Sequence, residues 1–229
     1  HTPKKIGWVT TWAAKCGIAS YSKHLIQNMN DTITIFTPFN EKINHNLSQN
    51  VEIVPSWNID SDGSESLDLL YKKIKEAKIS SLIIQFNYGF FDFKYFTNLI
   101  TKLILEGVNI ILFLHSTNDP INNQSKKLAL ISNSLQKCTR LIVHTINDLN
   151  NLKSIGLVNN VTLFPHGIPM CDKTLQHKSN LTSFNFRKTI KISTFGFCLP
   201  NKGFKEILFA IKILKDRNIK VSLEIFSAI

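Results

Sequence analysis

Ile6-Gly7-Trp8-Val9-Thr10-Thr11-Trp12-Ala13-Ala14-Lys15-Cys16-Gly17-Ile18-Ala19-Ser20-Tyr21 begins as an apolar run, stops at a loop containing glycine and continues with helical spacing. Near the other end of the 229-residue chain, Ile190-Lys191-Ile192-Ser193-Thr194-Phe195-Gly196-Phe197-Cys198-Leu199-Pro200-Asn201-Lys202-Gly203 repeats that order. Both stretches read as strand, loop, helix. Such a junction presents unpaired backbone amides and the positive end of a helix dipole, an environment suited to an anion. Two of them point to two nucleotide-binding-type domains facing one cleft.

The segments between follow the same rhythm. Short apolar or β-branched runs predict strands over Ile6–Thr11, Thr32–Phe36, Val51–Val54, Leu82–Phe86, Asn109–Leu114, Arg140–His144 and Val161–Phe164. Helical spacing predicts Ile18–Met29, Ser66–Lys78, Tyr95–Glu106, Asn122–Gln136 and Asn147–Ser154. In the second of these, Leu67, Leu70, Tyr71, Ile74 and Ala77 share one stripe, and Lys72, Lys73, Lys75 and Glu76 lie off it. Repeated β-then-α units imply an α/β, Rossmann-like parallel sheet with helices on both faces.

The stretch Asp172 to Lys188 is polar and rich in Lys, Asn, Ser and Thr, which reads as a crossing between domains. Beyond it come a strand over Ile190–Phe195, a helix over Lys202–Arg217 with Phe204, Ile207, Leu208, Ile211 and Leu214 inward, and a strand over Val221–Phe226. The expected organisation is therefore a first domain over 1–170, a linker over 171–188 and an incomplete second βαβ unit over 189–229. Two strands cannot bury their faces alone, so the expectation is a fragment whose second domain continues elsewhere.

Composition narrows the class. Hydrophobic residues make up 43% of the chain, enough for an ordinary core. No run of about 18 apolar residues occurs, and His1-Thr2-Pro3-Lys4-Lys5 lacks a signal-peptide core. The expected location is cytoplasmic, with a peripheral position at the inner face of a membrane compatible with the charge; because residue 1 is not Met, a removed signal stays open. Cys16, Cys138, Cys171 and Cys198 are widely spaced and form no C-x-x-C pair, so they read as unlinked thiols. The net charge of +11 is lopsided: residues 1–114 carry 11 Lys/Arg against 10 Asp/Glu, and residues 115–229 carry 16 against 6. A basic second half suits nucleotide phosphates, an anionic membrane or nucleic acid, and equally a solvated lysine face.

Candidate site residues lie where strands end. Gly17 lacks a Cβ, so a phosphate or sugar hydroxyl can approach the backbone closely; the loop is not G-x-G-x-x-G, which disfavours a dinucleotide fingerprint and a dehydrogenase. His115 stands where Asn109–Leu114 ends, the edge at which open α/β sheets place ligands. Its alternative is a half-buried residue capping its own strand. His144-Thr145 occupies the same position after the next strand, with Thr145 also readable as a helix N-cap and Asp148 as its capping partner. His166, in Phe164-Pro165-His166-Gly167-Ile168-Pro169, stands either at a ligand or simply in a turn that demands Pro and Gly. Lys202 opens a helix, where a cation opposes the dipole unless an anion binds there.

In sum, these stations resemble the retaining, nucleotide-sugar-dependent glycosyltransferases of family 4, which have the two-domain GT-B fold. The residues carrying the resemblance are Cys-Gly-Ile-Ala-x-Tyr at 16–21, His115, His144-Thr145 with Asp148, Phe-Pro-His-Gly-Ile at 164–168, and Phe195-Gly196 followed by Asn201-Lys202-Gly203. The resemblance implies that Gly17 and Lys202 lie at the donor phosphates, that His115 contacts the transferred sugar or acceptor as the catalytic residue, and that Tyr21, Thr145 and His166 bind substrate. It implies no cofactor and no metal, because fixed cations and helix amides would stabilise the diphosphate leaving group. The partners implied are a nucleotide-sugar donor and a glycan or lipid-linked acceptor, as in cell-surface polysaccharide or lipopolysaccharide synthesis, with peripheral membrane contact and no nucleic acid. Two departures stand out. Many relatives carry an arginine five residues before the lysine, where this chain has Phe197, and the family's Glu-x7-Glu pattern would fall beyond residue 229. The full-length parent is then the expected hexosyltransferase, and the chain by itself is expected to be inactive.

Two other readings stand beside this one. A GT-B sugar-nucleotide 2-epimerase would need carboxylates near the sugar, and only Asp119 and Asp148 are close to the cleft motifs in sequence. A basic module for nucleic acid or an anionic membrane would interleave aromatics with its basic stripe. Here the aromatics Phe86, Tyr88, Phe90, Phe91, Phe93, Tyr95 and Phe96 lie in the near-neutral half, either lining an acceptor or lipid groove or packing a strand-to-helix connection.

Overall fold

The computed structural model describes residues 5–41, 50–59, 64–168, 189–198 and 202–227. The chain divides into two compact units, His1–Pro169 and Met170–Ile229. The expected linker over 171–188 lies outside the described residues.

The first unit holds β1 (Ile6–Val9), α1 (Gly17–Ile26), β2 (Ile33–Pro38), β3 (Val51–Trp57), α2 (Ser64–Glu76), β4 (Ser81–Phe86), α3 (Phe93–Leu105), β5 (Asn109–Leu114), α4 (Ser132–Lys137), β6 (Arg140–Val143), α5 (Ile146–Ser154) and β7 (Val161–Leu163). Its seven strands form one sheet in the order β3-β2-β1-β4-β5-β6-β7, and every neighbouring pair is parallel. The α/β, Rossmann-like class read from the sequence is thus the observed one. The order reverses between β1 and β4, so the carboxyl ends of these two strands flank the topological switch point, the crevice where open α/β sheets hold ligands.

Each face of the sheet has its own core. On one side Val9, Phe36, Leu82, Ile84, Phe86, Leu112, Leu114 and Val143 pack with Leu70 and Ile74 of α2 and Phe96, Ile100 and Leu103 of α3. On the other, Trp8, Ile33 and Ile35 pack with Ile26 of α1. Buried hydroxyls also fasten α1 to β1, since Trp8 Nε1 donates to Ser22 Oγ at 3.3 Å and Thr10 Oγ1 lies 2.9 Å from the same oxygen. Gly7, at the centre of β1, is required by close approach: a Cβ there would stand 2.7 Å from Leu82 Cδ1 and 3.0 Å from both Ile79 Cγ2 and Phe36 Cε2. Gly7→Val is expected to cost about 1–3 kcal/mol through overpacking, read as a lower urea midpoint with an unchanged slope.

Two sequence expectations change in detail. The single helix expected over Asn122–Gln136 is broken into 3-10 turns at Gln124–Lys126 and Leu128–Ile131, followed by α4. Side chains divert the amides that such a helix would use: Asn123 Oδ1 accepts from Ser125 N at 3.2 Å, and Asp119 Oδ1 accepts from Leu128 N at 3.0 Å. β3 runs through Pro55 to Trp57, which is tolerated because β3 is an edge strand and one side of its ladder is unpaired.

The second unit is a βαβ element of β8 (Ile190–Phe195), α6 (Phe204–Asp216) and β9 (Val221–Phe226), its strands parallel and in register from Ile190↔Val221 to Phe195↔Phe226. Gly203, the N-cap of α6, is left-handed with φ 74°, a conformation that glycine adopts without strain. On α6, Ile211 is buried and Phe204, Ile207 and Leu214 are partly covered, whereas Leu208, expected inward, is exposed. No helix among the described residues is long and apolar enough to cross a membrane.

Candidate functional site

The loop after β1 grips a carboxylate. Glu41 Oε2 accepts from the backbone N–H groups of Trp12 and Ala13, each at 2.8 Å. Sequence reasoning placed an anion at this loop but missed that the chain supplies one itself, because Glu41 follows β2 and only strand pairing brings it here. Cys16 caps α1, its Sγ accepting from Ala19 N at 3.5 Å and lying 3.2 Å from Thr11 Oγ1. Beside Gly17 the space is open, for a Cβ there would meet nothing within 4 Å.

One turn into α1, Tyr21 meets three histidines delivered by three different strand ends. Its ring stands edge-on to His115, His144 and His166, at centroid distances of 5.3, 5.4 and 5.1 Å. The imidazoles form a loose stack: His144 and His166 are 3.8 Å apart at 22°, and His115 lies 5.1 Å from His144 and 6.0 Å from His166. Phe113 of β5 backs the cluster, 6.0 Å from Tyr21. Adjacency of β5, β6 and β7 in the sheet is what lines the histidines up at the carboxyl edge.

Their protonation follows from these surroundings. Burial, reinforced by the neighbouring His144 and His166, pushes the His115 pKa down to about 3, so this imidazole is neutral at physiological pH. Burial also lowers His144, partly offset by the hydrogen bond that its Nδ1 makes to the Phe164 carbonyl at 2.8 Å. A carbonyl oxygen only accepts, so His144 is protonated at Nδ1 and carries its lone pair on Nε2. Burial raises Tyr21. Three buried polar atoms of this cluster, Tyr21 Oη, His144 Nε2 and Gln85 Nε2, have no hydrogen-bond partner among the described residues. Buried polar groups are satisfied in most folded proteins, and here three exceptions lie together near the carboxyl edge of the sheet.

The ligand-capable nitrogens of the three histidines lie within 4.8 Å of one another. Their rings, however, are inclined by only 14 to 34°. In-plane lone pairs of near-parallel rings run side by side, so a shared ion would require the imidazoles to turn.

Asp148 ties the strand ends together. Its Oδ1 accepts from Thr117 N at 3.1 Å and from Thr117 Oγ1 at 2.7 Å, and its Oδ2 accepts from Thr145 Oγ1 at 2.6 Å. Thr145 caps α5 by accepting from Asp148 N at 3.1 Å. Both groups of the expected capping box are therefore present, and the Thr145 hydroxyl is engaged within it. The loop after His115 is thereby joined to the helix that follows His144. The aromatic run after β4 packs as a strand-to-helix connection, with Phe86, Phe91, Phe93 and Phe96 buried and Phe91 stacked on Phe96 at 4.8 Å.

In the second unit, Lys202 is exposed and immediately precedes Gly203, the cap of α6. Cys16, Cys138 and Cys198 are unlinked, and Cys171 lies outside the described residues.

No known family description and no curated protein sequence matches the chain. Among solved structures, it is similar to an alpha-glucosyltransferase in complex with UDP-glucose and DNA containing an abasic site, with a TM-score of 0.51, 12% identity, and coverage of 98% of this chain and 67% of that one. It is likewise similar to Arabidopsis thaliana UGT89C1 complexed with UDP-L-rhamnose, with a TM-score of 0.52, 11% identity, and coverage of 100% of this chain and 70% of that one. A looser likeness, with a TM-score of 0.41 and 11% identity, covers 62% of this chain and 55% of the Bordetella bronchiseptica enzyme WbmH in complex with NAD+. The fold is thus one shared with the UDP-glucose-bound alpha-glucosyltransferase and the UDP-L-rhamnose complex, and the chain spans 55 to 70% of the length of these three structures.

Proposed function

We propose that the chain is the greater part of a retaining GT-B glycosyltransferase that moves a hexose from a nucleoside-diphosphate sugar to a glycan or lipid-linked acceptor. The observation that carries this reading is the convergence of Tyr21, His115, His144 and His166 at the carboxyl edge of the sheet, with buried polar atoms left unpartnered among the described residues. The neutral imidazole of His115 suits a hydroxyl-rich ligand, because it offers one donor and one acceptor nitrogen without carrying a charge. In this reading His115 contacts the transferred sugar, Tyr21, Thr145 and His166 contribute to substrate binding, and Gly17 and Lys202 serve the diphosphate. Lys202 would then neutralise charge developing on the leaving group. Acceptors of this kind belong to cell-surface polysaccharide or lipopolysaccharide synthesis at the inner face of the membrane, and the basic second half fits that setting.

The test is calorimetric titration of the chain with UDP and GDP, beside a Lys202→Ala variant. Binding in the micromolar to millimolar range is expected, with affinity falling roughly tenfold or more on loss of one charge-assisted phosphate contact. Binding that ignores the substitution would remove Lys202 from the site. Absence of binding to either nucleotide, repeated with the longer parent protein, would overturn the transferase reading.

A further inference from the structure

Gln85 is the one polar residue in the Leu82-Ile83-Ile84-Gln85-Phe86 run of β4. It is fully buried, on the strand between β1 and β5, beside the topological switch point. Its Oε1 lies 2.6 Å from His115 Nε2, and its own Nε2 has no hydrogen-bond partner among the described residues. A buried amide left half-satisfied is costly, so an apolar residue would serve the sheet better. The contact explains its presence. An amide oxygen only accepts, so the His115 nitrogen facing it must carry the proton.

We propose that Gln85 is the positioning residue of this site, its side-chain carbonyl holding His115 as the Nε2–H tautomer and so keeping the lone pair on Nδ1 as an acceptor for a ligand hydroxyl. That the hydroxyl belongs to a sugar rests on the transferase reading; the tautomer does not. His144 is held in the opposite sense, its Nδ1–H on the Phe164 carbonyl and its lone pair on Nε2. The two neighbouring imidazoles thus have assigned and different acceptor nitrogens. Among the described residues, the hydrogen-bonding and ring partners of His115 are Gln85 from β4, Tyr21 from α1, His144 at the end of β6 and His166 beyond β7, and none is a carboxylate. A carboxylate at position 85 would therefore give His115 an acidic partner and favour its imidazolium.

Long-range ¹⁵N–¹H correlation spectra of the intact chain read the tautomer and charge of each histidine directly. Wild type is expected to show His115 as a single neutral form, protonated at Nε2, throughout the range of about pH 5 to 8 in which ordinary histidines titrate. Gln85→Met, which keeps volume and loses the acceptor, is expected to show both tautomers, and the isosteric Gln85→Glu to show imidazolium within that range. A wild-type His115 protonated at Nδ1 would overturn the proposal without any variant, as would unchanged His115 signals in both folded variants. Nucleotide titration tests the transferase reading separately, so the two can fail independently.

Discussion

Phe96→Ala is expected to lower the stability of the first unit by about 3–5 kcal/mol, among the larger costs a single core truncation carries. Phe96 is fully buried, stacks on Phe91 at 4.8 Å and packs against Phe86 at 5.5 Å. Truncation removes both ring contacts and leaves a void between α3 and the sheet, which close-packed neighbours fill only in part. Urea denaturation monitored by tryptophan fluorescence would show a lower midpoint at an unchanged slope. A loss below about 1 kcal/mol would mean that the aromatic connection is not a core element. The consequence reaches the site, because Phe86 directly follows Gln85 and its packing helps to hold the end of β4 in place.

Asp148→Ala is expected to cost about 3 kcal/mol near neutral pH, from the loss of charge-assisted hydrogen bonds and of the carboxylate in the first turn of α5. The Thr117 amide and the hydroxyls of Thr117 and Thr145 would lose their shared acceptor. The pH dependence has a definite sign. Burial by itself would raise the Asp148 pKa, but hydrogen bonds from Thr145 and Thr117 outweigh it and hold the carboxyl below its ordinary 3.8. With the folded pKa depressed, the contribution is fully present above the unfolded value and is lost as pH falls through 3.8 toward the folded value. Wild type and Asp148→Ala should therefore converge in stability as urea titrations move to lower pH in that window; a gap that stays constant would show that the carboxylate charge contributes nothing. His115 and His144 act at higher pH in the same direction. Their lowered folded pKa values mean that the unfolded chain takes up protons first as pH drops below 6.5, so acid destabilises the fold there too.

Much of this architecture is written in local sequence. Strand and helix periods are properties of neighbouring residues, so the alternation of apolar runs with amphipathic stripes was sufficient to specify a parallel α/β sheet covered on both faces. Strand-to-loop order likewise placed Gly17, His115, Thr145 and His166 at the carboxyl edge, because in parallel strands every such exit lies on the same side. The Thr145–Asp148 capping box was legible for the same reason, its two residues being three apart on one helix turn. Where local side chains compete for backbone amides, as Asn123 and Asp119 do, the pattern over 122–136 resembled a continuous helix that those side chains interrupt.

Tertiary structure alone decided which of these residues meet. The stack of His115, His144 and His166 against Tyr21 depends on β5, β6 and β7 pairing in succession and on α1 lying over that end of the sheet, pairings between segments far apart in the chain. Gln85 gave no sequence signal, since a single polar residue in an apolar strand has no period, and its meaning comes from the 2.6 Å contact with His115, thirty positions away. Glu41 reaches the loop after β1 across 29 and 28 positions, and Asp148 reaches Thr117 across 31. Local chemistry therefore determined the elements and the edge on which the candidates stand; the order of strands, a long-range choice made by burying two apolar faces at once, determined the site.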